Sequence, residues 1–289
     1  MSKKSTRSVV ISVRLDETNL AAVDLLVNAG LAQSRSEAAS QFVGFGVQAS
    51  EELLRKAKAL EESVRLLKNE MLDAVKQRDL SKVERLLAFD DKLKNAAAED
   101  GQTAVLLAAY TRANEIKDLL LQKGAELNLY EAATVGSTAR IRELISESPD
   151  LVNSYSYDGF TPLGLAAHFG HEEAALFLLG NGADPNRKGR DGNLDNTPLH
   201  AAIAGNHLHV AQLLLRHGAD ANALCEGTWR KGFTPLHVAA HFNRGEIARL
   251  LLESGADAGI RNADGLAPAE YARRKGNEAL AAQLEADAK

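Results

Sequence analysis

A single cysteine, Cys225, is the only thiol in 289 residues. One thiol cannot close an intramolecular disulfide, so the chain fits a reducing compartment. Long apolar runs are also missing. None approaches the roughly 18 residues needed to span a bilayer, and the charged N-terminus lacks the apolar stretch of a secretion signal. These absences predict a soluble, cytoplasmic protein with no membrane contact. Aromatic residues are scarce at 5%, while hydrophobic residues make up 45%, and Ala, Leu and Gly dominate. That balance excludes a disordered chain and describes short helices joined by tight turns. The length suffices for two domains, or for one small domain and an elongated repeat array.

Catalytic signatures are absent too. The chain has no G-x-S-x-G, no H-E-x-x-H and no glycine-rich phosphate loop, and nothing in the sequence positions a base beside Cys225. His207 and His209 fall on different helix faces, poor geometry for one metal. The expectation is a non-enzymatic protein with no metal and no cofactor.

Acid is missing from residues 1–14, which carry Lys3, Lys4, Arg7 and Arg14 and so hold +4. With a net charge of -5, the remainder carries -9. Directly after the leader, Ser8 to Leu15 alternate, with Val9, Ile11, Val13 and Leu15 on one face and Ser8, Val10, Ser12 and Arg14 on the other. A lone strand leaves its backbone groups unpaired, so this one predicts pairing with the same strand of a second chain. Asp16 sits where an N-cap is wanted, Leu20, Val23, Leu26 and Val27 recur at helical spacing, and Gly30 closes that helix. Ser34-Arg35-Ser36-Glu37 then reads as a capping box opening a second helix.

This order of basic leader, strand, helix, capped turn and helix resembles the ribbon-helix-helix repressors of the Arc, MetJ and CopG kind. The likeness rests on Val13 to Glu17, Gly30-Leu31 and Ser34 to Ala38. It implies a homodimer through residues 8–47 and a prokaryotic DNA-binding regulator. Carried over by position, Val10, Ser12 and Arg14 would read base edges, the amides around Ser34, Arg35 and Ser36 would hold a phosphate, and Lys3, Lys4 and Arg7 would meet the double-stranded DNA backbone. Val10 departs from the family's polar reading trio, which keeps open a strand that only dimerises.

From Ser50 to Val75 there is neither proline nor glycine. Leu53, Ala57, Leu60, Val64, Leu67 and Met71 form an a/d seam of nearly three heptads, which fits a coiled coil or a helix packed on its own chain.

Beyond Met71 the chain repeats. Asp158-Gly159-Phe160-Thr161-Pro162-Leu163 returns as Asn196 to His200, as Gly232 to His237 and, weakened, as Asp264 to Ala269. Each copy leads into an Ala-rich helix, a Leu-rich helix and Gly-Ala-Asp at 182–184, 218–220 and 255–257. The words resemble ankyrin repeats. Thr caps, Pro presets the first turn, the Ala pair allows close packing and Gly ends the second helix. Spacings of 36, 37 and 33 residues from Thr161 place extra residues at the tips 189–196 and 226–232. A divergent repeat starts near Thr103, a short one opens at Leu129, residues 71–87 and 264–285 read as caps, and six or seven units result. His200 and His237 belong to the Thr-Pro-Leu-His word, where the resemblance implies that the ring bonds its own Thr or the backbone.

Ankyrin stacks bind proteins along hairpin tips and first helices. The resemblance therefore points to Tyr110, His168, Phe169, His241, Phe242 and Arg274 just after the Ala pairs, and to Tyr157, Phe160, Trp229, Arg230 and Phe233 at the tips, as the surface for an unidentified protein partner. Phe160 and Phe233 have a second reading, packing between adjacent hairpins.

The expected fold is mainly α: a ribbon-helix-helix domain over 1–48, a bridging helix over 49–70 and an ankyrin solenoid over 71–289. The expected function is a homodimeric DNA-binding transcriptional regulator whose repeats hold a protein partner, a role that an antitoxin would also fit. The alternative is a dimeric protein-binding scaffold.

Overall fold

The computed structural model describes residues 17–49 and 51–286, and all the regular structure among them is helical. The expected ribbon at residues 8–15 lies outside the described residues, as do Asp16 and the basic leader. Among the described residues, pairing of strand type is limited to one isolated bridge, Ala97 with Thr103. The mixed fold with a β-ribbon is therefore corrected to an all-α fold. Its hairpins are turns closed by two or three backbone bonds, such as Ser156 N–H to Phe160 O at 2.9 Å, too short to extend a ladder.

The chain forms two compact units that divide between Leu66 and Leu67. The first holds α1 (Glu17–Asn28), α2 (Arg35–Ala49) and the start of α3 (Glu51–Lys76). Gly30 turns left-handed at φ 72° and closes α1, with its N–H on Val27 O and that of Leu31 on Leu26 O. The buried core here is Val23, Ala32 and Ala38. Along α3 the expected seam changes character. Leu60 and Val64 are exposed, whereas Met71 is fully buried in the second unit with Leu67 packed beside it.

In the second unit the last turns of α3 pair with α4 (Leu80–Phe89) as the first of seven helix pairs. The others are α5 (Ala104–Tyr110) with α6 (Asn114–Gln122), α7 (Leu129–Val135) with α8 (Thr138–Glu147), and α9 (Pro162–Phe169) with α10 (Glu172–Gly180). Then follow α11 (Pro198–Gly205) with α12 (Leu208–Arg216), α13 (Pro235–Phe242) with α14 (Gly245–Glu253), and α15 (Pro268–Arg274) with α16 (Glu278–Ala286). Thr161 and Thr234 cap their helices by accepting from the amides of Gly164 and His237. This satisfies a donor that the first turn leaves free. Leu163, Leu199 and Leu236 recur at the same place in successive first helices, Leu178, Leu214 and Leu251 do so in the second helices, and all are essentially inaccessible. Burying each such side chain contributes about 1.5–3 kcal/mol, and Ala167, Ala202 and Ala240, also fully buried, leave room for the neighbouring helix.

Two hydrogen-bond systems fasten one repeat to the next. Asn153 donates to Gly182 O (2.8 Å) and accepts from Asp184 N–H (2.9 Å). Asn186 does the same to Gly218 and Asp220, and Asn222 to Gly255 and Asp257. The second system runs through the buried histidines. The Nδ1 of His200 accepts from the Thr197 hydroxyl (2.8 Å), leaving its Nε2 to donate to Phe233 O of the following repeat (3.3 Å). His237 repeats the pattern with Thr234 and Leu266 O (2.9 Å). Burial holds His200 neutral, pushing its pKa down to about 4.

Candidate protein-recognition groove

The first helices and the hairpin tips share one face of the array, and a cavity of about 200 Å³ opens between α9, α11 and α13. Its apolar lining comes from Phe160, Leu165, Leu194, Ala201, Ala204 and Phe242, and its polar lining includes Tyr110, His168, Asn196 and Arg230. The long tips build one side of it. Residues 226–229 donate their N–H groups to the carbonyls of Asp195, Leu194, Gly192 and Asn193 at 2.9–3.4 Å, so the two tips lie backbone to backbone. A side chain at Gly227 would meet Asn193 backbone atoms at 2.3–2.4 Å, which fixes glycine there.

Of the eleven partner residues expected from sequence, Tyr110, Phe160, His168, Arg230 and Phe242 line this cavity. Phe169 meets the Tyr110 ring edge-on at 5.5 Å. Burial, reinforced by Asp158, raises the Tyr110 pKa above its ordinary value. Tyr157 is exposed beside Gly101, and Trp229 is 73% exposed at the tip of its insertion, its N–H on Asn193 O (2.9 Å). His241 and Arg274 serve the last repeat instead. His241 bonds the Tyr271 hydroxyl (2.9 Å), and Arg274 pairs with Asp264 (2.9 Å) while lying over the Tyr271 ring. Phe233 is a correction. Its ring is buried between His237 and Tyr271, because the tip folds it into the next repeat, so it offers no surface.

Sequence reasoning missed Leu165, Leu194, Asn196 and Ala201 as lining residues. The available signal was the length of the tip at 189–196, which carries Leu194 and Asn196 over the first helices.

The DNA assignment fares differently. Lys3, Lys4, Arg7, Val10, Ser12 and Arg14 lie outside the described residues. At the start of α2, Ser34 accepts from Glu37 N–H (3.2 Å) and the Glu37 carboxylate accepts from Gln33 N–H (2.6 Å). Arg35 makes a two-bonded ion pair with Asp24 (2.5 and 2.8 Å). Ser36 is exposed at a helix start that already carries an acid. The amides of Gln33 and Glu37 and that guanidinium are occupied, and the nearby carboxylates oppose a phosphate.

Cys225 is buried and its thiol is pushed up to about 12, which leaves it unreactive at neutral pH. Among the described residues no cluster of metal-ligating side chains occurs, and no helix is long and apolar enough to cross a membrane.

Stacked helix pairs, clamped edge to edge and presenting a lined groove, define a repeat solenoid of the kind that binds other proteins. The chain belongs to the ankyrin-repeat family: a family model described as ankyrin repeats (3 copies) matches residues 71–189 and 188–262. Among similar proteins, the B-cell lymphoma 3 protein homolog of Mus musculus is 34% identical over 48% of this chain and 26% of its own length. The neurogenic locus notch homolog protein 1 of Xenopus tropicalis is 33% identical over 46% of this chain and 5% of its own. The transient receptor potential cation channel subfamily A member 1 homolog of Caenorhabditis elegans is 31% identical over 42% and 9%. The chain therefore spans only a small part of each of these relatives, and the likeness is of repeats.

Proposed function

We propose that this protein is a dimeric recognition scaffold whose array grips a polypeptide across α9, α11 and α13. The observation that carries the reading is the cavity, because five residues expected from sequence to meet a partner line one preformed, mostly apolar hollow. Random-peptide phage selection on the full chain tests it. Clones are expected whose binding is lost when Ala204→Trp fills the cavity. If every selected clone binds that variant unchanged, the groove is not the recognition surface.

The dimer half rests on the first unit. Its described residues, 17–49 and 51–66, bury only three hydrophobic side chains as a core, Val23, Ala32 and Ala38, while Leu25, Leu31, Val43 and Phe45 are more than half exposed. So small a core is marginal by itself, and oligomerisation is a common way to complete it. A second copy covering this apolar face supplies it. Sedimentation of the full chain is expected to give a dimer that Leu25→Ser with Phe45→Ser converts to monomer. A monomer before substitution contradicts the reading.

A further inference from the structure

The polar lining of the cavity is one-sided in charge. Arg230 leaves its tip half-buried, and its guanidinium lies over the Phe242 ring at 5.0 Å from the centroid with no ion pair or side-chain hydrogen bond among the described residues. The acids of the two tips are already used. The Asp191 carboxylate accepts from the amides of Leu194 (3.2 Å) and Asp195 (2.8 Å), and Asp195 accepts from Gly192 N–H (2.8 Å). Lys188, just before the first tip, pairs with Glu226, and Arg190 lies over the Tyr155 ring at 4.3 Å. A guanidinium held against an aromatic ring and short of an anion is suited to a carboxylate, whose two oxygens match its fork. The hollow beside it is large enough for a ring, since a cavity of about 150 Å³ accommodates benzene.

We infer that the cavity takes an acidic peptide, with a phenylalanine-sized side chain entering between Leu165, Leu194 and Phe242 and an adjacent glutamate or aspartate pairing with Arg230. This rests on the reading that the first-helix face is the recognition surface, and it names the chemistry of the partner there. The long tips supply Leu194 and Arg230, so the preference comes from this chain's own insertions and not from the repeat as such.

The test uses the full chain and four fluorescein-labelled hexapeptides in a Gly-Ser frame, carrying Phe-Glu, Phe-Gln, Ala-Glu or Ala-Gln at the centre. Anisotropy is expected to show Phe-Glu binding about tenfold or more tighter than Phe-Gln and Ala-Glu, as fits a desolvated charge-assisted pair. Arg230→Gln should make Phe-Glu and Phe-Gln equal while keeping both ahead of the Ala peptides, and Arg230→Lys should restore part of the preference. Equal affinity of the wild type for Phe-Glu and Phe-Gln, no binding of any of the four, or phenylacetate alone binding as tightly as the peptide overturns the inference. If phage-selected clones of other composition still lose binding to Ala204→Trp, the recognition reading stands while this inference falls. If no clone is sensitive to Ala204→Trp, the recognition reading itself fails.

Discussion

The two units of this chain are both helical, yet they solve the problem of burying apolar surface in opposite ways. Each repeat of the array covers its neighbour, so Leu199, Ile203, Leu214 and Leu236 are essentially inaccessible without any second molecule. The α1–α2 pair buries only Val23, Ala32 and Ala38 as its core, and Leu25 stays 68% exposed. Stacking makes a repeat stable through the copy beside it in the chain, whereas an isolated helix pair must obtain that cover from elsewhere.

The sharpest way to break the comparison is a cavity in the array. Leu199→Ala should cost about 2–5 kcal/mol in urea unfolding, because the surrounding helices cannot collapse into the void. A loss below ~1 kcal/mol would mean that the stack is looser than its burial implies. Next comes the clamp between repeats. Asn186→Ala removes both bonds to the following repeat and should cost about 1–3 kcal/mol, seen as a lower urea midpoint with peptide binding at α9–α13 weakened. No change in midpoint would reduce the clamp to decoration.

Acid tests the buried histidine ladder. His200 is held neutral down to about pH 4, against an ordinary value of 6.5. Between those values unfolding takes up a proton, so stability is full above pH 6.5 and falls by ~1.4 kcal/mol per pH unit per site as pH drops toward 4. Burial also lowers the pKa of His237, which adds to the slope. Urea midpoints measured from pH 7.5 to 4.5 should decline, and His200→Gln should flatten part of that decline. A wild-type midpoint independent of pH would contradict the assignment. The smallest effect belongs to the first unit, where Leu25→Ser should shift the array's own midpoint by less than ~0.5 kcal/mol while weakening self-association in sedimentation. A shift as large as that of Leu199→Ala would erase the difference between the units.

Much of the array was legible because its residues act locally. Thr161, Pro162 and Gly182 each have one physical role at one backbone position, and repetition multiplies that signal. The asparagine clamp was legible in principle, since Asn186 and Asn222 each stand two residues after Gly-Ala-Asp, but its meaning depends on a carbonyl more than 30 residues away. Phe233 follows the second of its two readings, packing and not surface. An aromatic at a tip reads as surface until the fold of the tip turns it inward. The ribbon expectation failed for the described fold because a period-two pattern says which residues could share a face, and not that a partner strand is present. At Ser34 half of the expected capping box forms, since Ser34 accepts from Glu37 N–H while the Glu37 carboxylate takes Gln33 N–H in place of Ser34 N–H, and that same carboxylate stands at the helix start that a phosphate would need.

Hydrogen exchange of the full chain, with and without a phage-selected peptide at saturation, tests the recognition claim most directly. The account predicts added protection in segments 160–169, 194–204 and 230–242, with α10, α12 and α14 unchanged. Protection confined to α10, α12 and α14, or to the α1–α2 unit, would place recognition elsewhere and contradict it.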